Sequence, residues 1–250
     1  MKTNDQTIQF LNAELLDSDG KPRLTNATIV GDQFIDITSA NHLQDGATVI
    51  DAKGSLLIPG LHDHHTHLIA YAASLVSINC GPPNVVSEAD LKSALQRQAG
   101  RHWLRGTGYH ESVLGHLDRQ WLDTWAPERP IRIQHRSGRL WIFNSLGMEM
   151  IANAALRLAP HERARLTSDD GRLYDVDELL GNLTRSDVPP VKLASQQLAA
   201  FGVTGLNDMT PSNNPETWQW FSELQRSRDL LQKVRMSGRP ALSGLNQTPR

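Results

Sequence analysis

Several things are scarce in this 250-residue chain. Cys80 is its one cysteine, which excludes an internal disulfide and fits a reducing compartment such as the cytoplasm. No run of about 18 apolar residues occurs, so no spanning helix is expected. The polar start, Met1 to Gln6, lacks the apolar stretch of a secretory leader. Charge of one sign is also lacking: 25 Lys and Arg face 27 Asp and Glu, for a formal net charge of −2. That balance gives no general pull toward nucleic acid or anionic membrane. Gly106-Thr107-Gly108 is not continued into the G-x-G-x-x-G order that cradles phosphate. No repeat or low-complexity tract appears.

What is present begins with short β-rich runs. Thr7–Leu11 and Ala27–Val30 are separated by the turn cluster Asp17-Ser18-Asp19-Gly20-Lys21-Pro22, and Gln33–Ile37 alternates as a half-buried strand does. With Thr48–Asp51 they predict a small antiparallel β-unit over residues 1–57. Later, Trp103–Tyr109 reads as a strand leading into a glycine-punctuated loop. Ile131–His135 and Leu140–Phe143 flank Arg136-Ser137-Gly138 and predict a hairpin. Helices are predicted from Glu88 to about Gln98 behind a Ser87 cap, with Leu91, Leu95 and Ala99 on one face before Gly100. Others are predicted from Leu117 to Trp125, Asn144 to Leu158, Val191 to Phe201, and Pro215 to Leu231. Thr167–Gly171 reads as a surface turn, and the acidic run Asp175–Glu178 as a solvated helix start. From residue 191 the order helix, strand (Val203–Asp208), helix, strand (Gln232–Met236) argues for parallel βα units. Function in such units gathers at the carboxyl ends of strands.

The chemistry concentrates in Leu56-Leu57-Ile58-Pro59-Gly60-Leu61-His62-Asp63-His64-His65-Thr66-His67-Leu68, four histidines within six residues after an apolar run. Imidazole suits borderline metals such as zinc. In extended chain, Asp63, His65 and His67 share one face and His62 and His64 the other. One His-x-His pair at a strand's end can give a metal two nitrogens. His65 and His67 are therefore the candidate ligands, and His62 and His64 are read as packing against or buttressing them. Asp63 either orients the ligands or satisfies backbone donors. His135 is a candidate substrate contact or an ordinary strand histidine. Asp208 either contacts substrate or caps its strand end. Tyr109, His110 and Glu111 either line a cleft or form a surface loop. Cys80 reads as a small buried hydrophobe.

Three stretches carry a resemblance to the metal-dependent amidohydrolase superfamily, in particular the long-chain family-3 amidohydrolases. Ile58 to Leu68 is similar to that family's first barrel strand, P-G-[hydrophobic]-x-D-x-H-x-H. Arg129 to His135, continuing to Trp141-Ile142-Phe143-Asn144-Ser145, resembles its inserted hairpin and following helix. Gly202 to Asp208 resembles a later barrel strand. The resemblance implies an α/β fold. Residues 1–57 would be half of a small composite β-sandwich. Residues 58–236 would be the first part of a (β/α)8 TIM-type barrel, broken by an α+β insertion over about 86–190. Residues 237–250 would be an irregular tail. It also implies hydrolysis of non-peptide C–N bonds, amide or cyclic amide, by a metal-activated water. His65 and His67 would hold a divalent metal, zinc, with one or two ions in the complete fold. Arg139 stands where the family's hairpin often has a second histidine.

A whole TIM barrel takes about 250 residues, and here residues 1–57 and the insertion occupy much of the chain. The remaining ligands and the general base are expected beyond the chain end; Lys192 and Lys233 lie at the wrong ends of their elements to serve. The catalytic residue is unknown, and a truncated enzyme is expected, with little hydrolysis by the chain alone. The other reading is a catalytically inactive fragment acting as a metal-binding or interaction protein. Expected partners are a small-molecule substrate and a second copy or a completing chain, with no nucleic acid and no membrane.

Overall fold

The computed structural model describes residues 6–31, 33–38, 43–97, 103–184 and 188–238. The predicted Ala99 and Gly100 helix end and the tail beyond 238 lie outside them. The chain divides into two compact units, Met1–Leu61 and His62–Arg250.

The first unit is a four-stranded sheet of β1 (Thr7–Leu16), β2 (Pro22–Val30), β3 (Gln33–Thr38) and β4 (Thr48–Asp51), in the order β3-β2-β1-β4. The pairs β1–β2 and β2–β3 are antiparallel, but β4 lies parallel to β1, so the unit is not wholly antiparallel as predicted. Pairing direction follows from where the connection returns the chain, which composition does not encode. The strand at Thr7 runs five residues further than predicted because a bulge between Phe10 and Ala13 lets it turn and continue. Asn12 takes the left-handed conformation there (φ 53°), which asparagine tolerates. Its N–H donates to Asn26 Oδ1 at 2.9 Å and its amide to Asp51 Oδ1 at 3.0 Å. Phe34, Ile35 and Ile37 of β3 stand exposed.

The second unit holds the remaining elements. The strands are β5 (Leu61–Thr66), β6 (Ile78–Asn79), β7 (Leu104–Tyr109), β8 (Ile131–His135), β9 (Leu140–Phe143), β10 (Arg172–Tyr174), β11 (Val203–Asp208) and β12 (Lys233–Met236). The helices are α1 (Leu68–Leu75), α2 (Glu88–Gln96), α3 (Arg119–Trp125), α4 (Ser145–Ala154), α5 (Pro160–Ala164), α6 (Asp177–Leu183), α7 (Val191–Ala200) and α8 (Pro215–Arg226). They build two sheets: a five-stranded β10-β9-β8-β7-β6 and a three-stranded β12-β11-β5. The architecture is mixed α/β, and no sheet closes into a barrel among the described residues.

The five-stranded sheet is covered on both faces. All four residues of β9 are buried: Leu140 and Ile142 join the core under α2 and α3, and Trp141 and Phe143 join the one under α4 and α6. The predicted hairpin is there, with β8 and β9 antiparallel and Gly138 at φ 76° in its turn. Ser87 caps its helix as predicted, accepting from Asp90 N–H, and Asn144, predicted as the first residue of a helix, is instead its cap, accepting from Gly147 N–H at 2.9 Å. Asn144 is fully buried and also accepts from Ile131 N–H at 2.9 Å, while its amide donates to the carbonyls of Arg129 (2.7 Å) and Ala126 (3.4 Å).

Two glycines in this region, Gly106 and Gly171, sit where a side chain has no room. Gly106 lies inside β7, where a Cβ would meet Cys80 Sγ at 2.5 Å and Ile133 Cγ1 at 3.0 Å. Gly171 belongs to the predicted surface turn yet is buried, at φ +76° against the Phe143 carbonyl. Asp177 does open α6 as predicted, but its carboxylate also accepts from Trp141 Nε1 at 2.9 Å. The Arg132 guanidinium is stacked between Trp103 and Trp141, 5.6 and 5.7 Å from the ring centres, with a hydrogen bond to the Thr184 hydroxyl; burial pulls it down to about 10.

In the three-stranded sheet, β11 and β12 are parallel, as the βα order predicts. Its core joins Leu68 and Ala72 of α1, Val191 and Ala194 of α7, Leu206, Phe221, Leu230 and Val234. Ser195 and Gln232 are buried in the same region and satisfy each other, Ser195 Oγ donating to Gln232 Oε1 at 2.9 Å. The helix predicted to reach Leu231 stops at Arg226, since Arg228 turns into the left-handed region (φ 61°) and ends the repeat.

Candidate metal centre

The first strand of this sheet is the histidine run itself. The apolar run Leu56–Ile58 is an approach segment, in which Leu56 makes one isolated bridge to Glu14 and Pro59-Gly60 precede the pairing. Strand β5 therefore carries His62, His64 and His65, and His67 follows as the residue that opens α1. The imidazoles divide by parity. His62 and His64 lie together with ring centres 4.7 Å apart, and His65 and His67 lie together at 5.4 Å, edge to face.

The two pairs have different surroundings. His62 Nε2–H donates to Asn207 Oδ1 at 3.0 Å, and its ring fills the space over Gly205, where a Cβ would collide with His62 Nδ1. His65 and His67 are exposed. His65 donates its backbone N–H to Asp63 Oδ1 at 2.9 Å, and among the described residues its ring nitrogens meet no hydrogen-bond partner. His67 Nδ1 faces the Thr210 hydroxyl at 3.2 Å, and its Nε2 is open. Two imidazoles with open nitrogens on one face fit part of a divalent metal's donor set. Among the described residues no group of three or more His, Cys, Asp or Glu comes together, whereas catalytic zinc takes about three protein ligands and a water.

Asp208 closes β11 beside this pair. It is fully buried and both its oxygens are used: Oδ2 accepts from Leu68 N–H at 2.7 Å, and Oδ1 from Thr210 N–H at 3.0 Å and Asn213 Nδ2–H at 2.8 Å. A carboxylate at the first amide of α1 also suits the partial positive charge of a helix start. Thr210 and Asn213 were not singled out from the sequence. Their signal is the turn-rich run Asp208-Met209-Thr210-Pro211-Ser212-Asn213-Asn214-Pro215, which also supplies the Asn214 cap of α8.

His135 lies in the other sheet of this unit. Its Nδ1 accepts from Ser137 N–H at 3.1 Å, which leaves the ring proton on Nε2 to be donated to Glu111 Oε2 at 3.0 Å. His110 stacks on it with centres 6.1 Å apart. Glu111 is held below the usual carboxylate range, first by a backbone hydrogen bond and then by His135. Tyr109 does not line a cleft: it is fully buried in β7, donates its hydroxyl to the Gly115 carbonyl at 2.9 Å, and is pushed up to about 12 by burial. Arg139 is committed to Asp175 through two hydrogen bonds of 2.7 and 2.6 Å. Lys192 pairs with Asp229 at 2.9 Å.

Comparison with known proteins identifies the lineage. The model of the Amidohydrolase family matches residues 48–246. The chain belongs to the amidohydrolase family. This amidohydrolase-family chain is similar to an uncharacterized metal-dependent hydrolase from Pyrococcus horikoshii, with a TM-score of 0.71 at 18% identity, covering 96% of this chain and 51% of that one. A second such hydrolase, from Pyrococcus furiosus, gives a TM-score of 0.65 at 19% identity and the same coverage. Among curated proteins, it is 24% identical over 165 residues to N-substituted formamide deformylase of Arthrobacter pascens (61% of this chain, 30% of that protein). It is 25% identical over 130 residues to Protein LONG AFTER FAR-RED 3 of Arabidopsis thaliana (49% and 22%). The chain thus spans about half of the solved relatives and under a third of the curated ones. No helix among the described residues is long and apolar enough to cross a membrane.

Proposed function

We propose that this chain is the metal-holding first part of a divalent-metal-dependent hydrolase acting on non-peptide C–N bonds of small amides or cyclic amides. The observation that carries the reading is the His65–His67 pair, set apart from His62 and His64 and open at the end of β5. Zinc is the ion proposed, with His65 and His67 as two of its ligands. When bound, such an ion polarises a carbonyl and makes water acidic enough to attack near neutral pH.

The chain's own residues do the rest of what can be assigned. Asp63 fixes the backbone at His65, and Asp208 ties β11 to the start of α1. His135, whose Nδ1 and Nε2 are engaged by Ser137 and Glu111, is proposed as a substrate contact that would offer its Nε2–H in place of the bond to Glu111. The three-stranded sheet is read as the opening strands of a partial (β/α)8 barrel, the five-stranded sheet as its insertion, and residues 1–57 as half of a composite sandwich. The formamide deformylase among the relatives supports the C–N bond class. A reducing compartment such as the cytoplasm is proposed on Cys80 being the chain's one cysteine.

Two ligands favour a second reading for the 250 residues by themselves, a metal-binding or interaction protein without turnover. Titration of the purified chain with zinc, alongside hydrolysis assays on N-formyl, N-acyl and cyclic amides, separates the readings. Weak, reversible zinc binding is expected, abolished in His65→Ala and His67→Ala and kept in His64→Ala, with little hydrolysis. Zinc binding indifferent to both substitutions would remove the proposed centre. Robust turnover lost in His65→Ala would show a complete active site and retire the second reading.

A further inference from the structure

One residue beside the histidine pair has a task that follows from its contacts, provided that His67 is a metal ligand as proposed above. Thr210 lies 143 positions from His67 in sequence, yet its hydroxyl sits 3.2 Å from His67 Nδ1. Its backbone N–H donates to Asp208 Oδ1, and the other oxygen of the same carboxylate takes the N–H of Leu68, the residue after His67. Asp208 therefore fixes the main chain on both sides of the contact. Asn213 Nδ2 braces the carboxylate at 2.8 Å and the Ser237 carbonyl at 2.9 Å, so the carboxylate has no slack.

We propose that Thr210 is the positioning residue of His67. Its hydroxyl accepts the Nδ1 proton, so Nε2 carries the lone pair and is the nitrogen offered to the ion. A ligating imidazole uses one nitrogen and needs an acceptor for the proton on the other; that second partner sets tautomer and ring orientation. Among the described residues, His67 has such a partner, and His65 hydrogen-bonds through its backbone. The pair is therefore unequal: His67 is the pre-oriented ligand and His65 the adaptable one.

The test uses the purified 250-residue chain with Thr210→Val, which keeps the shape and removes the acceptor, and Thr210→Ser, which keeps the hydroxyl. Long-range 1H–15N spectra of histidine-labelled protein report which His67 nitrogen carries the proton, with and without zinc, and calorimetry reports zinc affinity. Thr210→Ser is expected to match wild type in tautomer and to bind zinc within threefold of it. Thr210→Val is expected to lose the Nδ1–H preference and to bind about tenfold more weakly or worse, the usual cost of removing such a partner. Thr210→Ala, which also lacks the hydroxyl, replaces it should the valine variant not fold. Wild-type tautomer and affinity in a hydroxyl-less variant would overturn the proposal. Failure of the metal reading looks different: neither wild type nor His67→Ala would take up zinc. The metal-free tautomer of wild type against Thr210→Val would then still decide whether Thr210 holds the ring, and an unchanged tautomer would overturn the proposal.

Discussion

Asn144 should be among the most costly single positions in the five-stranded sheet, and its contacts allow the cost to be worked out. In Asn144→Ala the cap of α4 is lost, about 1 kcal/mol. The N–H of Ile131, itself fully buried, loses its acceptor, which costs about 1–3 kcal/mol for a donor that water cannot reach. The carbonyls of Arg129 and Ala126 belong to partly exposed residues and can be rehydrated, so they add little. The expected loss is about 3 kcal/mol, a large share of the roughly 5–15 kcal/mol that holds a domain together. Urea unfolding followed by tryptophan fluorescence reads it, because Trp103, Trp125 and Trp141 all pack in this region. With a slope of about 2 kcal/mol per molar urea the midpoint falls by about 1.5 M. Asn144→Ser restores the cap but cannot reach Ile131 and the two carbonyls together, so it should recover about a third of the loss. A loss under about 1 kcal/mol in Asn144→Ala would refute the reasoning, as would a serine variant no better than alanine.

Three further outcomes are expected. Gly205→Ala drives a methyl into the His62 ring from the central strand of its sheet and should cost about 1–3 kcal/mol; thermal unfolding of the single and Gly205→Ala/His62→Ala variants should show the double recovering most of it. Arg139 beside Asp175 holds its carboxyl below the ordinary 3.8, so the ion pair's stabilisation is complete above that value and is lost as pH falls through the lower folded value. Urea midpoints of wild type and Asp175→Asn should therefore differ at pH 7 and converge in acid, by a small amount since both partners are exposed. Burial pushes the Cys80 thiol up to about 12, so Ellman's reagent at pH 8 should label it only as the protein unfolds, at the rate of unfolding.

Much of the site was legible in the sequence because its logic is local. The parity of an extended chain separates His65 and His67 from His62 and His64 with no knowledge of the fold, and the cap at Ser87 depends on a residue three positions away. The βα order after residue 191 was equally plain. What could not be read depends on partners far along the chain. Thr210 matters because β11 ends beside His67, and Gly106 and Gly171 are glycines because Cys80 and the Phe143 carbonyl lie against them. The start of β5 is not marked by composition, since the apolar run Leu56–Ile58 precedes the strand and pairing with β11 draws in the polar histidines instead.

Strands β5 and β11 are neighbours in space, yet His62 and Asn207 are 145 positions apart, and the whole five-stranded sheet is threaded between them. Closing so long a loop is entropically slow unless the intervening chain has already condensed. The inserted sheet, whose strands follow one another closely in sequence, is placed to form first and shorten the gap. The contact between Thr210 and His67 is then expected to form late, and on the reading proposed above metal uptake would report completed folding rather than nucleate it.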